Sequence, residues 1–422
     1  MLSGMAELDE RGLVARLHDR FGFGPRAGDL EVGVTATLDR LLGDGGADGP
    51  EPPKPGAPVK AGDDKQARKE ANKRRAADER QLVLWWLDRM VAADVATTER
   101  LTWFWHGHFA TSEQKVRDPR LMLAQNATLR RQALGPFAPL ARAMVVDPAM
   151  IRWLDGDDNR SGVPNENLAR EFLELFALGI GHYTETDVRE AARALTGWTV
   201  DRDAGTARFV AKRHDDGVKE IFGAKDDFTA ESFVDLVLAR PESAAFVVDR
   251  LWFRLVSTTP PPDDARRRLV AALSTDVRSV LRAIAAEPVF RDRATTLVKQ
   301  PVEWLVGLMR ALDVRPSKLP ERAVTALGNG LRGLGQLPFR PPSVGGWPAD
   351  AAWLTTAAGV TRLRVARLVA AHADLPRDVD GVGRLLGVAE WSDRTRAALG
   401  RVSDPDEVAA LAACAPEYVV SA

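Results

Sequence analysis

The chain has 422 residues, of which 45% are hydrophobic and 28% are charged. This composition is typical of a globular protein, and the length allows a large hydrophobic core. The 58 basic and 59 acidic residues give a net charge of −1, so no global field attracts nucleic acid or an anionic membrane. The single cysteine, Cys414, excludes an intramolecular disulfide and any metal site built from several cysteines.

The first twenty residues carry acids and bases from Glu7 onward and lack a basic segment followed by an apolar run. They predict no secretory signal, and we therefore expect a cytoplasmic protein. The most apolar stretch, LVLWWLDRMVAA, is interrupted by Asp88 and Arg89 and falls far short of about 20 apolar residues. It predicts a buried helix, and no membrane span is expected.

Helical patterns dominate the chain from its start. Two short ones cover residues 7–20 and 30–42, and a charged helix begins at residue 65. The mixed charges of that helix are typical of a solvated face, so no nucleic-acid partner is expected. From residue 97 to about 194, one helical pattern follows another, cut by Pro and Gly.

Residues 198–200 and 208–210 carry β-type side chains around the turn-rich DRDAG and predict a small hairpin. Helical patterns resume at residue 230, and the prolines within 334–348 exclude a regular helix there. The predicted fold class is therefore mostly α, with one large multi-helix domain and a small β-hairpin insert.

Composition also suggests how the chain is divided. Residues 1–42 are predicted to be N-terminal helices of the main domain. Residues 43–64 are dense in Pro and Gly and predict a flexible insert. The main helical domain is predicted to span residues 65–373, followed by a C-terminal helical extension over 374–422.

The segment PNENLAREFLELFALG places polar residues on a helix that is otherwise Leu, Phe and Ala. At about 100° per residue, Asn167, Arg170, Glu171 and Glu174 form one stripe. The apolar remainder predicts a largely buried helix, so the stripe faces either solvent or an internal cleft. At a solvent face, Arg170 and Glu174 would neutralise each other. In a cleft, Glu171 and Glu174 are candidate acid/base groups or metal ligands, with Arg170 orienting one of them.

His106 and His108 lie in the aromatic segment LTWFWHGHF. If a helix continues through them, the two side chains point about 160° apart and cannot share a ligand. If Gly107 breaks the helix, both point to one side and could bind one metal ion. The alternative is that hydrogen bonds among aromatic neighbours satisfy both imidazoles. His214 and Asp215 follow the predicted hairpin, either as a surface pair or as a contribution to an acid/base site.

These residues give two functional hypotheses. The first is an acid/base or metal-dependent active site, for which hydrolysis is the generic reaction and a divalent ion such as Zn, Mn or Fe is the suitable metal. Its predicted catalytic residues are Glu171, Glu174, Arg170, His214 and Asp215, and its predicted metal ligands are His106, His108 and Glu171. The second is a non-catalytic binding or scaffold protein whose polar cluster is a structural network. No Walker motif, Gly-x-Ser-x-Gly elbow or His-Glu-x-x-His motif specifies a reaction.

Several segments together resemble the large bacterial family called domain of unknown function 1800. They are RLTWFWHGHFATSEQKV, the block DPAMIRWLDGDDNRSGVPNENLAREFLELFALGIGHYTETDVREAARALTGW, HDDGVKEIFG, KQPVEWLVGLMRAL and LGQLPFRPPSVGGW, in that order. The resemblance extends from the first helix to about Arg367. The family's signature positions correspond to His106, His108, Asn165, Glu166, Asn167, Arg170, Glu171, Glu174, Thr196, Gly197, Trp198, His214, Asp215 and the loop around Trp347.

The resemblance implies no settled activity. Members are often encoded beside a second uncharacterised family related to the alkaline phosphatase and sulfatase fold, which implies a protein of that kind as a partner. Many members carry export signals, from which the start of this chain departs. The signature positions include the polar stripe, so the resemblance favours the cleft interpretation of that stripe.

Overall fold

A computed structural model of the chain describes residues 7–44, 49–57 and 64–421. The predicted flexible insert at 43–64 falls partly outside these ranges. Its described residues 49–57 form neither helix nor strand. Trp85 nevertheless fixes one point of this segment, because its indole Nε1 donates a hydrogen bond of 2.8 Å to the carbonyl of Pro50.

The described residues are mostly helical, which confirms the predicted fold class. The first α-helices are α1 (Glu10–Phe21), α2 (Val34–Leu41), α3 (Lys65–Ala92), α4 (Thr97–His108), α5 (Glu113–Val116), α6 (Pro119–Arg131), α7 (Phe137–Val145), α8 (Pro148–Trp153), α9 (Asn167–Glu171) and α10 (Glu185–Ala194). The later ones are α11 (Ala230–Leu238), α12 (Pro241–Leu255), α13 (Asp263–Leu273), α14 (Val277–Ala286), α15 (Pro288–Arg291), α16 (Pro301–Ala311), α17 (Glu321–Gly333), α18 (Thr356–Ala370), α19 (Val379–Leu386), α20 (Asp393–Leu399), α21 (Pro405–Ala412) and α22 (Pro416–Val419). A π-helix, Phe172–Ala177, follows α9 directly.

Six short strands form three antiparallel pairs within the described residues. They are β1 (Trp198–Asp201), β2 (Thr206–Phe209), β3 (Lys219–Ile221), β4 (Ala224–Asp226), β5 (Leu297–Val298) and β6 (Val420–Ser421). The predicted hairpin is the β1–β2 pair, in which Trp198 lies opposite Phe209. The hairpin β3–β4 was not predicted. Its turn residues Phe222 and Gly223 both have positive φ (50° and 78°), as a two-residue type I′ turn requires, but Phe replaces the usual Asn or Asp.

Two hydrophobic clusters form the core, and α4 contributes to both. Phe104 and Trp105 belong to the cluster built mainly by α1, α7 and α10–α15. Trp103 belongs to the cluster built mainly by α3 and α16–α22. The aromatic segment therefore lies where the two clusters meet. The four predicted domain divisions stay predictions, although β6 at the end of the described chain pairs with β5 far upstream.

The longest helix, α3, has two different halves. Its N-terminal half is mostly exposed and charged, whereas Leu82, Trp86 and Met90 are fully buried, as the apolar stretch predicts. None of the helices in the described ranges combines the length and the apolar character that crossing a lipid bilayer requires. The loop predicted at 334–348 is also confirmed, since its residues form no helix or strand.

Candidate functional site

The polar stripe lies on a helix that changes type after Glu171. From Phe172 to Ala177 the helix is of the π type, which bonds each N–H to the carbonyl five residues earlier. At its end, the N–H of Leu178 donates to the carbonyl of Leu173 at 3.1 Å. The 100° spacing assumed from the sequence therefore fails beyond Glu171. Short π segments inside helices are frequent at functional sites.

Arg170 belongs to the exposed side of this helix. Its guanidinium donates two hydrogen bonds of 2.8 Å to the carboxylate of Glu185 and one of 2.9 Å to that of Glu166. The alternative ion pair between Arg170 and Glu174 is not the one that forms. Two carboxylates, one at the start of α9 and one at the start of α10, thus hold the Arg170 side chain.

Glu171 and Glu174 are both half-buried, and Glu174 lines the cavity described next, which Glu171 does not line. Glu174 Oε2 accepts a hydrogen bond of 2.9 Å from the hydroxyl of Tyr183. Burial and the neighbouring charge of Glu174 raise the pKa of Glu171 above its ordinary value. The two carboxylates therefore interact electrostatically, although they have different surroundings.

A cavity of about 580 Å³ lies between the π-helix, α12 and the 334–348 loop. We call it the outer cavity. Its volume falls in the usual range for small-molecule sites, about 300–1,000 Å³. It is lined by His108, Glu174, Leu175, Leu178, Gly179, Ile180, His182, Glu242, Ala245, Phe246, Asp249, Arg250, Arg266, Val344 and Gly345.

His108 is the last residue of α4, and the helix continues through both histidines. Its Nε2 lies 2.8 Å from the carbonyl oxygen of Phe176 in the π-helix. A carbonyl only accepts hydrogen bonds, so Nε2 carries the proton and Nδ1 keeps a free lone pair. Nδ1 is buried and has no hydrogen-bond partner. Burial, together with the charge of Arg250, lowers the pKa of His108 to about 3, so the imidazole is neutral near neutral pH.

His106 has different surroundings. Its Nε2 accepts a hydrogen bond of 3.1 Å from the backbone N–H of Phe339, and its ring packs edge-on against Trp86. Burial lowers the pKa of His106 to about 3. This matches the alternative in which aromatic neighbours and a hydrogen bond satisfy the imidazole.

The structure does not bring the predicted ligand set together. Because α4 is helical throughout, His106 and His108 point in different directions and contact different aromatic rings. Glu171 does not line the outer cavity that His108 lines. Within residues 7–44, 49–57 and 64–421, no three His, Cys, Asp or Glu side chains gather as a metal ion would require.

His214 and Asp215 support the first hairpin and do not line the outer cavity. Arg193 donates two hydrogen bonds of 2.9 Å to the carboxylate of Asp215, which hold its pKa below the ordinary value. The Nδ1 of His214 lies 3.0 Å from the carbonyl oxygen of Thr196. A Cβ at Gly197, where φ is +92°, would lie 3.1 Å from the Cβ of His214. This pair therefore packs closely against the start of β1.

Arg250 on α12 is the cavity residue that the sequence reasoning missed. It makes no hydrogen bond or ion pair within the described part of the chain, and its Nε is buried without a partner. Burial lowers its pKa. A signal existed in the sequence, since Arg250 and Arg254 are spaced i, i+4 in the apolar segment FVVDRLWFRL. Like charges at this spacing repel each other, and no acid lies three or four residues from either.

The other charges of the outer cavity are balanced locally. Arg266 donates a hydrogen bond of 2.9 Å to Asp249, and Arg240 lies 3.5 Å from Glu242. Glu174 has the neutral hydroxyl of Tyr183 as its hydrogen-bond partner. Arg250 and Glu174 are thus the positive and negative groups of this cavity that no salt bridge of the described residues neutralises.

A family model described as "Protein of unknown function (DUF1800)" matches residues 16–420, nearly the whole chain. The chain belongs to this family. No curated protein and no solved structure matches it. The DUF1800 match confirms the resemblance of the sequence motifs. His108 and Glu174, two of the signature positions named above, both line the outer cavity.

Proposed function

We propose that the outer cavity is an active site for acid/base chemistry on a small molecule that carries a negative charge. One observation carries the proposal: Arg250 and His108 line the same cavity of ligand size, and the Nε of Arg250 and the Nδ1 of His108 are both buried without a hydrogen-bond partner. Buried polar groups in folded proteins normally have hydrogen-bond partners. Two such groups without partners beside one cavity therefore support the binding of a ligand there.

Arg250 is the anchor for the negative group. Its guanidinium presents several N–H donors in one plane, which suits a carboxylate or a phosphate. Its partial burial strengthens such a contact, because water competes less for the donors. Binding would also remove the cost of a buried charge that has no counter-ion.

Glu174 is the proton acceptor. The Tyr183 hydroxyl occupies one lone pair of its carboxylate, and the remaining lone pairs are free to accept a proton from substrate or water. His108 is a poorer base, since its pKa is lowered to about 3. Its Nδ1 instead serves as a hydrogen-bond acceptor that positions a hydroxyl group or a water molecule.

Hydrolysis is the reaction class that this set of roles fits best. Glu174 would remove a proton from water as the water oxygen bonds to the substrate, and would return that proton to the leaving group as the bond to it breaks. His108 would orient the water, and Arg250 would hold the anionic part of the substrate. Each role uses a side chain of the outer cavity. Glu171 contributes only through its interaction with Glu174, whereas Arg170, His214 and Asp215 are assigned no step because their charged or polar groups are held elsewhere.

A non-catalytic binding or scaffold protein is the second candidate. It is favoured by the saturated pairing of Arg170 with Glu166 and Glu185 and of Asp215 with Arg193. These pairs have the character of a structural network. A protein of this kind would bind an anion in the outer cavity without changing it.

The proposal is tested by incubating the purified protein with a mixture of small cellular metabolites and following each compound by mass spectrometry. We expect an anionic compound to be consumed by the wild type and by Glu190→Gln, and to persist with Glu174→Gln. Glu190 is a suitable control because its carboxylate pairs with Arg193, away from the cavity. Consumption that is equal in Glu174→Gln, or no consumption by the wild type, contradicts an acid/base role.

Three sequence-based expectations stay predictions. The divalent metal is tested by elemental analysis of the wild type and of Glu171→Ala. The alkaline phosphatase- or sulfatase-like partner, which comes from the family resemblance, is tested by co-purification of the two proteins. The cytoplasmic location is tested by fractionating cells that express the full chain.

A further inference from the structure

A second, much smaller cavity lies behind His108 and Arg250. We call it the inner cavity. Its volume is about 20 Å³, and its walls include Arg100, Arg250, Arg254, Gln300 and Trp347. His108 and Arg250 line both cavities, so they separate the outer cavity from the inner one. We propose that the inner cavity binds one monatomic anion, chloride in the cell.

The charges around the inner cavity do not balance. Glu303 is the carboxylate that offsets them, and its Oε1 accepts hydrogen bonds from both Arg100 and Gln300. Arg254 donates to two neutral carbonyls, those of Trp347 at 2.6 Å and Pro348 at 3.0 Å. Arg250 lies over the ring of Phe253 at 5.9 Å but has no hydrogen-bond or ion-pair partner among the described residues. Three guanidinium groups therefore share a single carboxylate in a region that is largely buried.

Burial without a counter-ion is costly for a guanidinium, and it lowers the pKa of the group. Burial and the nearby charge of Arg250 lower the pKa of Arg254 to about 10. A bound anion would offset this repulsion directly. Its charge would be close to the guanidinium groups and shielded from water, where electrostatic interactions are strongest.

The free hydrogen-bonding groups also favour an anion. The indole Nε1 of Trp347 and the Nε of Arg250 are both buried without partners, and both can only donate. Trp347 is 4% exposed and its ring stacks on Trp103, so its position is fixed. His108 lines this wall too, but its acceptor Nδ1 is the atom that the proposed function assigns to the outer cavity, and a halide could not bond to it. Water is therefore the alternative occupant.

The size of the inner cavity limits its occupant. A cavity needs a volume of about 10–15 Å³ to hold one water molecule. The inner cavity, with about 20 Å³, therefore holds one atom-sized particle. Sulfate, phosphate and carboxylate groups are larger. The inner site would thus select a halide, whereas the outer cavity has room for an organic molecule.

Crystals grown with sodium bromide in place of chloride test the proposal, because bromide can be located by its anomalous scattering. We expect a bromide peak within contact distance of Trp347 Nε1 and the Arg250 and Arg254 side chains. A water molecule in that position, with no anomalous signal, would overturn the proposal.

A solution experiment uses the melting temperature of the full chain. Chloride is titrated against gluconate at constant ionic strength, and we expect a saturable rise for the wild type. Trp347→Phe keeps the stacked ring but removes the Nε1 donor, and should weaken the apparent chloride affinity by roughly 3- to 10-fold. Arg332→Gln, whose side chain bonds Asn329 on the exposed face of α17, is the control and should behave like the wild type. A rise that Trp347→Phe leaves unchanged contradicts the site.

Both proposals use Arg250, but their tests can fail separately. Glu174→Gln should retain the full chloride effect, because Glu174 lines the outer cavity and not the inner one. If chloride binds as expected while no metabolite is consumed, only the catalytic proposal fails. If a metabolite is consumed while bromide is absent from the inner cavity, only the anion proposal fails.

Discussion

Glu113 is buried with both carboxylate oxygens lacking a hydrogen-bond partner. Burial, with the nearby charges of Glu79 and Asp118, raises the pKa of Glu113 from 4.5 to about 8. The folded protein holds this proton more tightly than the unfolded chain does. Its contribution to stability is therefore complete below pH 4.5 and is lost as the pH rises through about 8.

Glu113→Gln should remove this pH dependence. We expect little change in the free energy of unfolding near pH 4 and a gain of a few kcal/mol near pH 8.5, measured by urea denaturation. Glu231→Gln, at an exposed carboxylate, should change the free energy of unfolding little at either pH. If the stability difference between this variant and the wild type is the same at both pH values, folding does not raise the pKa of Glu113.

Glu171 and Glu174 provide a second prediction for single residues. The charge of Glu174 is one cause of the raised pKa of Glu171, after burial. Glu174→Gln should therefore lower the pKa of Glu171, as followed by NMR titration of the side-chain carboxyl carbon. Glu190→Gln should leave it unchanged. An unchanged Glu171 pKa in Glu174→Gln would contradict the proximity of the two carboxylates.

At the scale of single residues, the sequence predicted some of the side chains that could act in catalysis or binding. The sequence identified His108 and Glu174, because imidazole and carboxylate groups stand out in apolar segments. It did not distinguish His106 from His108, since their roles depend on contacts with Phe339 and Phe176 that lie far away in the chain. Arg250 was missed because arginine in a helix normally finds a counter-ion.

The hydrogen bond between His106 and Phe339 connects α4 to the 334–348 loop. His106→Phe should leave the N–H of Phe339 buried without a partner and cost about 1–3 kcal/mol of stability. His106→Gln is the matched variant, because its side-chain oxygen can still accept a hydrogen bond, and it should cost less. Urea denaturation measures both. Equal losses would show that the ring packing of His106, and not its hydrogen bond, holds the loop.

Elements with a strong pattern were predictable, and those that depend on unusual backbone geometry were not. The DRDAG turn correctly indicated β1–β2. The β3–β4 turn was hidden because a Phe occupies a position with positive φ. The π-helix was also hidden, because its residues Leu, Phe, Glu and Ala suit an ordinary α-helix equally well. The π-helix matters for the site because it contains Phe176, whose carbonyl oxygen lies 2.8 Å from the Nε2 of His108.

At the scale of the whole molecule, the C-terminal residues pack into the second hydrophobic cluster. Tyr418 is 2% exposed, and its ring lies 4.0 Å from the Nζ of Lys299. Tyr418→Ala should lower the free energy of unfolding by about 3–5 kcal/mol, as for other buried aromatic residues. Tyr418→Phe should be neutral or stabilising, because the hydroxyl is buried without a partner. A Tyr418→Ala variant as stable as the wild type would contradict this packing.

The helical patterns of the sequence predicted the helical class of the whole molecule, but they could not predict how the helices meet. The outer cavity joins residues from α4, the π-helix, α12 and the 334–348 loop, which are distant in sequence. Periodicity describes one helix at a time and carries no information on such contacts. The positive charge of α12 beside the histidine of α4 therefore became visible only in the folded chain.

The central claim is that Arg250 holds an anion in the outer cavity, and isothermal titration calorimetry tests it most directly. Inorganic phosphate, acetate and benzoate are titrated into the wild type, Arg250→Gln and Arg142→Gln, the last of which alters an exposed ion pair with Asp235. We predict one-to-one binding of at least one anion, unchanged in Arg142→Gln and weakened about 10- to 100-fold in Arg250→Gln. No binding of any of the three, or equal affinity in Arg250→Gln, would contradict the account.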